Sequence, residues 1–154
     1  MAIDPRLELL KTLRAVPVVA EALIASFDAG SLRRRPAPDE WAAVEVVSHL
    51  ADTEERALGR VRRMVAEDAP VLEPFDQAAL AVERGYLDLD ARVELRRFAA
   101  LRADHVALLE SLDDAGWSRV GIHGEHGEMT VERYETHVAA EDVDHLAQIA
   151  RLRG

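Results

Sequence analysis

Apolar residues recur at intervals of three and four along most of this chain, the spacing of helices that bury one face. The C-terminal run from Thr130 to Leu152 shows it best. On a helix advancing about 100° per residue, Val131, Tyr134, Val138, Glu141, His145, Ile149 and Leu152 share one line. That line is expected to face a core, and Thr130 is expected to cap the helix start. Three further segments repeat the pattern. Asp4-Pro5 opens a first helix whose apolar positions run from Leu7 to Phe27, with Pro17 placed to kink it or split off its first turns. Asp39 is read as the cap of a second helix from Glu40-Trp41 to about Val65, facing inward through Ala43, Val46, Val47, Leu50, Ala57, Val61 and Met64. Asp90 caps a third, Ala91 to about Leu112, whose inward line is Ala91, Leu95, Phe98, Arg102, His105, Leu109 and Leu112.

The connection between the second and third helices contains Pro70, Pro74, Phe75 and Gly85 and is too long for a tight helical hairpin. It predicts a crossover along the bundle, with a short helix around Gln77 to Arg84. No period-two run marks a strand, and the Gly/His-rich stretch from Gly121 to Glu128 reads as a solvated loop. The fold expected is all-α, a single domain over residues 1–154 forming an antiparallel four-helix bundle of non-simple topology.

Polar residues on the inward lines carry the candidate chemistry. Glu141 and His145 are one turn apart on one face, a spacing that lets two side chains share a metal ion or a proton, or simply hydrogen bond at a helix interface. Arg102 is placed to meet a buried carboxylate, to reach an anionic ligand, or to extend along the bundle edge. His105 has no visible partner and reads as structural. His49 falls at the edge of its helix's apolar arc, where a surface position is the simpler reading. His123 could line a pocket mouth.

Composition narrows the chemistry. There is no cysteine, so any metal is left to His, Asp and Glu, and any thiol must come from outside the chain. A formal net charge of −10 opposes binding to nucleic acid. The N-terminal residues lack the form of a signal peptide and no segment suits a membrane span, so a cytoplasmic protein with no membrane partner is expected.

Three stretches carry a family resemblance: Arg35-Pro36-Ala37-Pro38-Asp39-Glu40-Trp41, Val46-Val47-Ser48-His49-Leu50-Ala51-Asp52-Thr53-Glu54 and Val143-Asp144-His145-Leu146-Ala147-Gln148-Ile149. With Pro70, Phe75-Asp76, Trp117-Ser118-Arg119 and Gly127-Glu128-Met129-Thr130, they resemble the DinB/YfiT-like superfamily of bacterial four-helix bundles. The resemblance implies an up-down-down-up bundle, often a homodimer, with a divalent metal between the second and fourth long helices. It maps metal ligands onto His49 and His145, and a third onto position 141, where this chain has Glu141 in place of histidine. A carboxylate can ligate zinc, nickel, manganese or iron; alternatively the pocket keeps a Glu-His pair without metal. Asp52 and His137 are expected to support the ligands from behind.

The function implied is a metal-dependent enzyme acting on a small molecule, either a transferase using a low-molecular-weight thiol or a hydrolase. Arg102, Arg119 and His123 are candidates to hold the substrate's anionic end. Competing readings are a non-catalytic, stress-associated bundle with an altered site, and the substrate-positioning domain of a larger oxygenase.

Overall fold

The computed structural model describes residues 2–153; residues 1 and 154 of the expected domain lie outside the described residues. Four long helices form the bundle: α1 (Pro5–Ile24), α2 (Ala43–Ala66), α4 (Ala91–Glu110) and α6 (Val131–Arg151). Between them lie the short α3 (Gln77–Glu83) and α5 (Asp114–Trp117). Helix α1 packs on α4 and α6, and α2 packs on the same two, so the first two helices face each other across the bundle. This is the up-down-down-up arrangement, and the long connection after α2 carries the chain across.

Local chemistry sets the helix ends. Asp4, Asp90 and Thr130 each accept a backbone N–H of the first turn, which satisfies donors that would otherwise have no partner. Helix α2 starts later than expected, at Ala43, and Asp39 does not cap it. Instead the Glu45 carboxylate accepts the Ala42 N–H at 3.1 Å while Arg35 holds both carboxylate oxygens, at 2.7 and 2.8 Å. Helix α1 runs unbroken through Pro17. Among the described residues no helix is long and apolar enough to cross a membrane.

The structure also has a small sheet, which the all-helical reading lacked. Strands β2 (Val120–His123) and β3 (Gly127–Thr130) form an antiparallel hairpin, and β1 (Val71–Leu72) adds to β2 in parallel. Strands of two to four residues are too short to display alternation. The hairpin is fixed from below: a Cβ at Gly121 would meet Leu72 Cδ1 and Met64 Cγ at 3.0 Å, and Gly127 turns with φ 67°. The base of the Gly/His stretch is therefore anchored over the end of α2, while its tip, residues 124–128, is exposed to solvent.

The core divides in two. One apolar cluster gathers Val16, Ile24, Val47, Leu50, Phe98 and Ile149; the other gathers Leu13, Val61, Met64, Leu109, Trp117 and Tyr134. Between them lies a buried polar layer of Glu54, Arg102, His105, Glu135 and Asp142. Arg102 donates to both oxygens of Glu54 at 2.8 Å and to the Leu13 carbonyl at 2.9 Å, and its guanidinium lies 2.9 Å from Asp142 Oδ2. His105 bridges Glu54 at 2.7 Å and Glu135 at 2.8 Å. All four long helices are joined by this one network.

Candidate metal centre

Residues of α2 and α6 define a cavity of about 300 Å³ beside the polar layer. His49 projects from α2 and His145 from α6, and their Nε2 atoms face each other at 3.1 Å. Two nitrogens bound to one ion at about 2.0–2.1 Å lie about 2.9–3.4 Å apart for tetrahedral to octahedral angles, so this separation suits a shared ion. His145 Nδ1 donates to Gln148 Oε1 at 3.1 Å, one turn along α6. That bond places the ring's proton on Nδ1 and leaves Nε2 a lone pair aimed at His49. His49 is 3 % exposed, with Trp41 against its ring at a centroid distance of 5.0 Å. Burial, with a smaller contribution from the facing His145, pushes its pKa down to about 4. Burial thus favours the neutral form of His49, the form that a metal requires.

The edge position read for His49 is thus corrected: α2 is buried on every side between Ala43 and Asp52, because the Trp41 loop covers the face that periodicity left outside. Glu141 lines the same cavity but is exposed. Among the described residues no three His, Asp or Glu side chains converge tightly enough to hold an ion. Two of the three expected ligands therefore meet, and the third stands at the cavity wall.

Other expectations are redirected by the packing. Asp52 does not support His49; its carboxylate accepts from Tyr86 Oη at 2.6 Å and from Arg97 at 2.7 Å, and it also pairs with Arg84. Those donors outweigh the effect of burial and hold its pKa below the usual carboxylate range. His137 lines the cavity without a hydrogen bond to Glu141; its ring neighbours are His123 and His126, at 6.1 and 5.2 Å. Arg102 is 2 % exposed and committed to Glu54 and Asp142, so it is no substrate ligand. Arg119 is spent on the Met64 and Glu67 carbonyls, which fasten the hairpin to the end of α2. His123 alone of the three lies on the cavity.

The sequence reading missed several cavity residues: Thr53, Arg60, Phe75, Tyr134 and Asp142. Asp142 is an inward carboxylate of α6, with Glu135, and lies one position from the residue the helical line selected. Burial raises its pKa to about 6 against the opposing pull of Arg102. Gln148 had a readable signal, since a residue three positions after a helical histidine is its surface neighbour.

A small cavity between facing helices, lined by a buried and a half-buried imidazole, is the kind of place where four-helix bundles hold ligands and ions. The chain belongs to the DinB superfamily, whose family model matches residues 12–149. A protein of Geobacillus kaustophilus, provisionally named a metal-dependent hydrolase, is 29% identical over 95% of this chain and 83% of its own length. An Oceanobacillus iheyensis protein with the same provisional name is 29% identical over 73% of this chain and 64% of its own length. The solved four-helix bundle of YfiT from Bacillus subtilis superposes with a TM-score of 0.83, at 22% identity, over 97% of this chain and 89% of that one. That likeness concerns the fold.

Proposed function

We propose that this chain is a divalent-metal-dependent enzyme, a hydrolase of small molecules, whose ion is held by His49 and His145 with Glu141 as the third ligand. The observation that carries the reading is the pair of Nε2 atoms 3.1 Å apart on the cavity wall. The names of the relatives point the same way.

A bound divalent ion would supply Lewis acidity, lowering the pKa of a coordinated water toward about 7 and polarising the bond to be cleaved. The chain's own residues do the rest. Gln148 keeps the His145 ring in the ligating tautomer, and Trp41 covers the His49 ring and excludes water from that side. Glu141 would add a negative charge where an imidazole would add none. That charge weakens the ion's Lewis acidity and shifts its contribution toward orienting the substrate. Leu50, Phe75 and Val138 give the cavity an apolar wall that accommodates a substrate body.

The test is elemental analysis of untagged protein and of the His49→Ala, His145→Ala and Glu141→Ala variants. Near-stoichiometric metal in the wild type, lost in all three, is the expected result. A wild-type protein that neither carries metal nor takes up added zinc, nickel or manganese would overturn the proposal. Metal retained in Glu141→Ala would remove that residue from the ligand set.

A further inference from the structure

The cavity has two chemically different ends. The imidazole pair lies at one. At the other, Arg60 of α2, Tyr134 of α6 and His123 of the hairpin come together. Arg60 is eleven residues beyond His49 on α2, and Tyr134 eleven before His145 on α6, so each helix separates the two ends by roughly 16 Å of rise. Helical side chains lean toward the N-terminus of their helix, so the long Arg60 side chain reaches back along α2 in the direction of His49.

Each of these three side chains has a proton to donate. Arg60 Nη1 donates to the Tyr134 hydroxyl at 3.4 Å, which leaves the hydroxyl's own proton without an acceptor among the described residues. Arg60 Nη2 donates to the Glu73 carbonyl, and the guanidinium has no carboxylate within ion-pairing distance among the described residues. His123 Nδ1 accepts the backbone N–H groups of Glu125 and His126 at 3.2 and 3.4 Å, so in the neutral ring its proton sits on Nε2. The nearby carboxylates are engaged elsewhere or stand outside this trio. Glu54 and Asp142 belong to Arg102, and Glu125 is on the exposed hairpin tip. The wall beside the three donors is apolar, formed by Leu72, Pro74 and Phe75, with Arg56 stacked on the Phe75 ring at 3.7 Å.

We infer that Arg60, Tyr134 and His123 form an anion-binding subsite, so that the substrate is an elongated small molecule carrying a carboxylate or phosphate at the end remote from its reacting bond. This inference rests on the metal-centred reading for the reacting bond alone; the subsite itself needs no metal. A guanidinium with no carboxylate partner, beside a Tyr134 hydroxyl proton and a His123 Nε2–H that lack acceptors among the described residues, leaves one stretch of cavity wall short of acceptors, and an oxyanion supplies them. The apolar wall between the ends suits an alkyl or aromatic body.

The subsite is tested on metal-stripped protein, following the His123 ring proton resonances by NMR while titrating inorganic phosphate and, separately, glutarate. Saturable shifts with either anion support the subsite, and the anion that binds identifies the substrate's charged group. Arg60→Gln should weaken binding at least about tenfold, Arg60→Lys should restore part of it, and His145→Ala should leave it unchanged. Folding of each variant is checked by circular dichroism. No saturable shift with either anion, or equal affinity in Arg60→Gln, overturns the inference. Anion binding by a protein that takes up no metal would leave the subsite standing and sink the metal centre; metal uptake without anion binding would do the reverse.

Discussion

His49 and His105 are both buried histidines on inward helix faces, and their surroundings drive them to opposite charge states. Burial alone depresses the pKa of either ring. At the cavity His49 meets another imidazole, which adds to the effect, and its pKa falls to about 4. In the polar layer the charges and hydrogen bonds of Glu135 and Glu54 overcome burial, and the pKa of His105 rises to about 9. The first ring is neutral, with a lone pair to offer. The second is a cation that stitches α4 to α2 and α6. Histidine at an inward position thus signals neither metal nor structure until its partners are known.

The comparison can be broken hardest at the polar layer. Arg102→Met would leave Asp142 buried without its counter-charge and Glu54 with His105 alone, and stability should fall by about 3–5 kcal/mol in urea unfolding. Metal uptake at the proposed centre should change only through loss of the fold.

A pH series sharpens the contrast. His105 has a folded pKa of about 9 against an unfolded value of 6.5. Below pH 6.5 both states hold the proton and the stabilisation is present in full. As pH rises from 6.5 through 9 the unfolded chain releases its proton first, so stability should decline across that window. Glu54 acts on the acid side. Hydrogen bonds from His105 and Arg102 overcome its burial and hold its pKa at about 2, so its contribution is present above pH 4.5 and lost as pH falls toward 2. Thermal midpoints from pH 6 to 9.5 should show the alkaline decline in the wild type. The decline should be much reduced in a His105→Gln variant.

Substitutions at the cavity should reverse the pattern of effects. His145→Ala is expected to abolish stoichiometric metal, read by elemental analysis, while changing stability by less than about 1 kcal/mol, because the ring is half-buried and makes few contacts. Gln148→Ala should be gentler, reducing metal affinity by about 10–100-fold through loss of the bond that fixes the His145 tautomer. Equal metal affinity in wild type and Gln148→Ala would show that the ring needs no such support.

Much of this architecture can be read from the chain. The four long helices, their caps at Asp4, Asp90 and Thr130, and the inward line of α4 from Ala91 through Leu109 follow from apolar spacing and end residues. His145 follows from the inward line of α6, whereas His49, which periodicity leaves at an edge, joins it only through family resemblance. What could not be read were features made by packing at a distance. The strands need partners separated by some fifty residues, as between Val71 and Ile122, and a two-residue strand has no pattern of its own.

The roles of the arginines divide along the same boundary. Spacing put Arg102 on an inward face but could not choose between a buried carboxylate and a ligand, because Glu54 lies 48 residues away. Arg60 drew no notice at all, since its significance comes from the hairpin and Tyr134 closing around it.

By itself the sequence determined the helices, the absence of thiol ligands and the family, because local periodicity, capping and composition are properties of neighbouring residues. Only the tertiary structure decided which histidine is neutral and which is charged, which carboxylates of α6 turn inward, and which side chains line the cavity. Those outcomes depend on distances between residues far apart in the chain, and electrostatic energy is set by distance and burial.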